Sequence, residues 1–286
     1  MNSAGRKLVV IALACLIVAP LALAQTAARS RAKAVKSPMA NVMSAIFDAI
    51  SFDQTAISPD GRQVAWVETI KGGSAIYMSA TGGGAPRRIT AGGQSESTIA
   101  WSPDSKQIAF LSDAAKPGQP QLYVSAAAGG PSRKLTSVKG FFASPGWSPD
   151  GKTIAVLFTE NAERSAGPLV AEKAQTGVIQ EAVTEQRLAL VDAVGSKLRQ
   201  ISPADMYVYE YDWSPDGRNF VTTAAHGNGD NNWYIAQIYT IPAAGGDMKS
   251  IYKPPIDSQI AIPAWSPDGK SVAFIAGIMS DEPVVG

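Results

Sequence analysis

The sequence predicts an all-β fold: a β-propeller of four-stranded antiparallel blades, about four and a half of them. Three observations carry this reading. One phrase recurs five times: "ISPDGRQVAWVE" from Ile57, "WSPDSKQIAFLSD" from Trp101, "WSPDGKTIAVLFTE" from Trp147, "WSPDGRNFVTTAA" from Trp213 and "WSPDGKSVAFIAG" from Trp265. Its serines, Ser58, Ser102, Ser148, Ser214 and Ser266, stand 44, 46, 66 and 52 residues apart, and a repeat of about forty residues built from short strands is one propeller blade. Runs such as "TIAVLF" and "SVAFIA" are β-branched and aromatic and are bounded by Gly/Pro turns, which excludes an α-solenoid of similar period.

One repeat parses completely. "TIAWS" at 98–102 is strand a, "KQIAFLSD" strand b, "QLYVSA" at 121–126 strand c and "RKLTS" strand d, with turns at "SPDS" and "AAGGPS". In the S-P-D-G turn, proline presets φ near about −65°, aspartate accepts local backbone hydrogen bonds, and glycine takes the left-handed closing position. Ser105 replaces that glycine in the second copy and carries a modest strain cost. The tryptophan before four of the turns is expected to pack blade against blade.

Ahead of the repeats, residues 1–24 read as a secretory signal peptide. Arg6 and Lys7 form its charged start, "LVVIALACLIVAPLAL" its apolar stretch and "ALA" at 22–24 its cleavage site before Gln25. The apolar run contains a proline and falls short of the roughly 20 residues that span a bilayer. No stable membrane insertion is therefore expected after cleavage, and the location implied is periplasmic or secreted. Residues 25–37 read as a linker. Ser37-Pro38 opens a short amphipathic helix over 38–50, carried by Val42, Ala45, Ile46, Ala49 and Ile50. The partial propeller occupies 51–286. The only cysteine, Cys15, lies in the signal segment, so the processed chain has neither disulfide nor thiolate site. Without Arg6 and Lys7 the chain keeps 23 basic against 24 acidic residues, a balance that argues against nucleic acid as a partner.

Copies of this repeat followed by a "GGxxRxLT" phrase resemble the periplasmic TolB propellers and the N-terminal propellers of the prolyl oligopeptidase family of serine peptidases. The phrases "SFDQTAISPDGRQVAWV", "MYVYEYDWSPDG", "GNGDNNWYIAQIY" and "FIAGIMSDE" look like the bacterial dipeptidyl and acylaminoacyl peptidase branch of the second group. TolB-like proteins carry an α/β domain before the propeller, which the short stretch ahead of Ile57 does not accommodate. The peptidase resemblance implies a substrate-gating, non-catalytic propeller whose peptide substrate is processed by a C-terminal α/β-hydrolase domain missing from this chain. On that reading the sequence breaks off within the fifth blade. The alternative is a stand-alone TolB-like propeller that binds protein partners.

No catalytic residue is assigned within the chain. A hydrolase nucleophile sits in a G-x-S-x-G elbow, and the nearest string, "GPSRK" at 130–134, falls in a blade turn; the single histidine, His226, has no nucleophilic serine in a suitable context. No metal site or cofactor is expected, since Asp230 alone supplies too few carboxylates for a calcium loop. Binding residues are sought on the face that carries the long connections, 160–187, 202–211 and 225–233. The insertion's Val170, Ala174 and Val178 have helical spacing, and Gln180 and Glu181 are a thin second candidate pair. The substrate-binding candidates are Glu210, Asp230, Asn231 and Asn232. Glu210, among Tyr207, Tyr209 and Tyr211, reads either as an edge residue or, by the peptidase resemblance, as the carboxylate that meets a peptide's N-terminal amine. Tyr211 stands where that motif has a second acid. Asp230, Asn231 and Asn232 read equally as turn formers.

Overall fold

The computed structural model describes residues 52–90, 95–162, 184–195, 197–227 and 229–278. The expected signal peptide, linker and first helix, and the insertion's Val170, Ala174, Val178, Gln180 and Glu181, lie outside the described residues. The chain divides into two compact units, Met1–Ala49 and Ile50–Gly286, and every described residue belongs to the second.

The described strands form antiparallel sheets in chain order, as an up-and-down propeller requires. The first blade holds β1 (Phe52–Ile57), β2 (Gln63–Ile70), β3 (Gly73–Ala80) and β4 (Arg87–Arg88). The second holds β5 (Glu96–Trp101), β6 (Gln107–Ser112), β7 (Gln121–Ala126) and β8 (Arg133–Lys134). The third holds β9 (Gly140–Trp147), β10 (Thr153–Glu160), β11 (Gln186–Asp192) and β12 (Leu198–Gln200). The fourth holds β13 (Met206–Trp213), β14 (Asn219–His226), a short 3-10 helix η1 (Gly229–Ile235), β15 (Gln237–Pro242) and β16 (Lys249–Tyr252). Of the fifth, the described residues contain β17 (Ser258–Trp265) and β18 (Val272–Ile278).

Each S-P-D-G turn is closed by the same hydrogen bonds. In the first, Ser58 Oγ donates to Asp60 Oδ1 at 2.6 Å and accepts from the Gln63 N–H at 3.0 Å, while Asp60 Oδ1 accepts from the Arg62 N–H at 3.1 Å. The other four turns repeat the set around Ser102, Ser148, Ser214 and Ser266. A hydroxyl side chain suits this position because one group must both donate and accept. The turns also stack: a β-carbon on Gly217 would stand 3.5 Å from Cδ of Pro149 in the preceding blade's turn, and Gly269 meets Pro215 likewise. Ser105 does hold the left-handed backbone, at φ 60°. Its side chain offsets that strain, since the buried Oγ accepts the Asp60 N–H of the first blade at 3.1 Å.

Strand b is apolar at successive positions because both of its faces are covered. Ile154, Val156 and Phe158 of β10 pack toward the second blade, while Ala155 and Leu157 pack toward the fourth. Three apolar cores result, with 10 buried residues between blades one and two, 13 between two and three and 11 between three and four. A fully buried large apolar side chain contributes roughly 1.5–3 kcal/mol, so these cores outweigh any single polar contact.

Polar ties then set the register of one blade on the next. Trp101, Trp147 and Trp213 donate Nε1–H to the carbonyls of Ala56, Ala100 and Gly146 in the preceding strand a, at 3.1, 3.1 and 3.2 Å. These three tryptophans thus play the expected blade-to-blade role, while Trp265 makes no such bond among the described residues. From strand d of the first three blades an arginine reaches forward to the next blade's c–d turn: Arg87 to the carbonyls of Ala127 and Ala128, Arg133 to those of Ala193 and Val194, Arg199 to those of Ala243 and Ala244. A residue at the start of strand c completes the set. Ser74 bonds Glu96, Gln121 bonds Val138 and Gln186 bonds Val208.

Candidate functional site

Alternating strand direction puts the S-P-D-G and c–d turns on one face and the b–c and d–a connections on the other. The second face gathers Glu160 at the end of β10, Arg187 at the start of β11, Gln200 at the end of β12, Asp205 just before β13 and His226 at the end of β14. Gln200 Nε2 donates to Glu160 Oε2 at 3.0 Å, and Asp205 Oδ2 meets His226 Nδ1 at 3.1 Å. The half-buried Arg187 guanidinium donates to the Ser202 carbonyl. Burial lowers its pKa, while the charges of Glu160 and Asp205 act in the opposite sense. This mixed-charge cluster spans the third and fourth blades. Its members are scattered from 160 to 226 with no motif among them, so only the strand ends bring them together.

The four residues expected to bind substrate fall into two groups. Asp230, Asn231 and Asn232 lie in η1, which packs against β13, β14 and β17. Asn232 Nδ2 donates to the carbonyls of His226 at 2.7 Å and Gly227 at 3.0 Å, which ties the loop to the end of β14. Glu210 lies inside β13, just past a register shift, opposite Thr223. Its Oε2 accepts the Ile262 N–H of the fifth blade at 2.6 Å and the Thr223 hydroxyl at 3.3 Å. The hydrogen bonds of the two groups are thus separate: Asn232 serves its own loop and Glu210 the next blade.

Tyr211 explains its own place in the sequence. Its ring is partly buried, and its hydroxyl lies 2.5 Å from the Ser144 carbonyl and 2.8 Å from that of Ala155, both in the third blade. Burial, with a smaller contribution from the Asp212 charge, raises its pKa far above the ordinary tyrosine range. A β-carbon on Gly146 would come within 2.9 Å of that hydroxyl, so Gly146 makes room for it. The position expected to match a second acid is therefore a bolt between blades.

A crevice of about 520 Å³ opens on the opposite face, between the turns at Pro149 and Pro215 and beside Trp213 and Arg199. Its polar groups are committed elsewhere: Arg199 to carbonyls, Asp150 and Asp216 to their own turns. It is an inter-blade gap rather than a built site. Among the described residues no cluster of His, Cys, Asp and Glu could hold a metal ion, and no helix is long and apolar enough to cross a membrane.

Fold and face together define a propeller scaffold that presents loops on one side. The TolB beta propeller domain family (PD40) matches residues 44–190, and the chain belongs to that family. Solved structures share the fold at low identity. A TolB from Agrobacterium tumefaciens is 20% identical over 79% of this chain and 74% of its own, with a TM-score of 0.55. An oligogalacturonate lyase from Vibrio parahaemolyticus is 13% identical over 80% and 59%, with a TM-score of 0.58. The acylaminoacyl peptidase of Pyrococcus horikoshii is 14% identical over 75% and 35%, with a TM-score of 0.52. A search of curated proteins finds no match. The chain thus spans little more than half of the lyase and about a third of the peptidase. Three unlike descriptions on one fold show that the fold alone does not carry the activity.

Proposed function

We propose that this chain is the substrate-gating, non-catalytic propeller of an exported serine peptidase of the dipeptidyl or acylaminoacyl type, with the hydrolase domain in the remainder of the protein. One observation carries this reading: the chain is similar to about a third of a peptidase of that type, and the phrases "MYVYEYDWSPDG" and "GNGDNNWYIAQIY" resemble that branch. In this role the propeller restricts access to short peptides, and the face bearing η1 and Glu210 meets them. The coding sequence that follows Gly286 tests the reading. An in-frame G-x-S-x-G is expected, and a stop codon after completed blades would defeat it. The purified chain itself should not label with a fluorophosphonate probe.

The second reading is a TolB-like module that docks protein partners in the periplasm, supported by the family match over 44–190 and by the 74% coverage of the Agrobacterium TolB. Glu210 separates the two. Glu210→Gln keeps an oxygen to accept the Ile262 N–H but removes the charge. In the whole peptidase it should raise KM about tenfold or more for substrates with a free N-terminus, as truncating one partner of a buried charge pair does. Equal effects on N-acetylated substrates would leave Glu210 a structural residue.

A further inference from the structure

The junction between the fourth and fifth blades departs from the other three at each tie. Where Arg87, Arg133 and Arg199 clasp the next blade, the fourth blade has Lys249. Where Thr90, Thr136 and Ser202 accept a backbone N–H of strand c, it has Tyr252. Gln237, which heads strand c as Gln121 and Gln186 do, accepts instead from Ser250 of its own blade at 2.7 Å. Trp265 Nε1 is buried and, among the described residues, finds no acceptor. In place of all these stand two carboxylates of β13. Glu210 Oε2 accepts the Ile262 N–H at 2.6 Å and Asp212 Oδ2 accepts the Trp265 N–H at 2.8 Å. Ala56, Ala100 and Gly146 hold the position of Asp212 in the first three blades and offer no such side chain. The sequence at this junction is thus changed in concert.

We propose that this junction is the joint of the blade stack: a seam latched by Glu210 and Asp212 that opens before any other. The η1 loop lies across it, packed on β13 and β14 of the fourth blade and on β17 of the fifth. A ligand that engages η1 therefore biases the seam, whichever of the two functional readings holds. Bonds from two side chains are local and reversible, and here they replace the arginine, tryptophan and strand-c ties that hold the other junctions.

Hydrogen–deuterium exchange on the full chain tests this. The β17 amides should exchange about tenfold faster than those of β5 and β9, and Glu210→Ala with Asp212→Ala should quicken β17 by about a further tenfold while leaving the first three blades unchanged. Gln54→Ala at the first junction is the control. Gln54 bonds Ile99 N–H and carbonyl at 2.6 and 3.1 Å, yet the arginine, tryptophan and serine ties remain there, so β5 should change less than about threefold. Glu210→Gln with Asp212→Asn keeps both acceptor oxygens without the charge and should quicken β17 less than the alanine pair does. If the double alanine variant does not fold, Asp212→Ala alone gives the same reading. Unchanged exchange in β17, equal loosening of β5 and β9, or loosening by the amide pair as great as by the alanine pair would overturn the proposal.

Discussion

The two faces of the propeller are built on opposite principles. On the turn face, five copies of one turn repeat bond for bond, and each serine oxygen and first aspartate oxygen is committed to its own turn. On the loop face, no two connections are alike, and polar groups such as the Asp205–His226 pair are largely exposed. Uniformity marks groups that support the blades, and irregularity marks groups free to meet something else. The fourth junction adds a refinement, because there a residue of the repeat itself, Asp212, has changed in step with its neighbours.

Substitutions graded along this contrast should lose effect from core to loop. Trp147→Ala removes a 9% exposed ring from the core between blades two and three, together with its bond to Ala100. It should cost roughly 3–5 kcal/mol in denaturant unfolding. Ser148→Ala leaves the Thr153 N–H and the Asp150 carboxylate without their shared partner, a loss of roughly 1–3 kcal/mol. His226→Ala on the loop face alters a side chain that is 68% exposed and should stay within about 0.5 kcal/mol. A His226 effect as large as that of Ser148 would break the comparison.

Acid should sharpen it. The carboxyls of Asp60, Asp104, Asp150, Asp216 and Asp268 all lie below their ordinary value of 3.8, held there first by the turn serine and then by a backbone N–H. A depressed folded pKa means that the unfolded chain binds the proton more readily. The turns therefore contribute their full stabilisation above the ordinary value and lose it as pH falls through the depressed one. Stability measured from about pH 5 to about pH 2 should decline, and asparagine at the five positions should flatten that decline. An unaltered acid limb in the asparagine variant would show that the turns are not its source.

Much of the architecture was legible because a propeller blade is local. Strand, turn and next strand are neighbours in sequence, so "TIAW", "QIAFLS" and "QLYVSA" place β5, β6 and β7 within a residue or two. The role of tryptophan was legible for the same reason: a large ring at a fixed phase of a repeat has only the adjacent blade to meet. The candidate site was legible only in part. That η1 and the long connections share a face follows from strand alternation, and the structure bears out the placement of Asn232 on a loop there.

What the sequence by itself determined, then, is the set of interactions that recur: the blade period, the S-P-D-G turn and the apolar strand b. Repetition separates such signals from chance, and their partners lie within one repeat or at a fixed offset. Only the tertiary structure decided the interactions that occur once. No motif announces that Glu210 accepts the N–H of Ile262, 52 positions away. Tyr211 reads as a missing acid until Ser144, 67 positions away, stands beside its hydroxyl. Long-range partners chosen once leave no period in the chain, because the geometry that pairs them exists only after the blades have stacked.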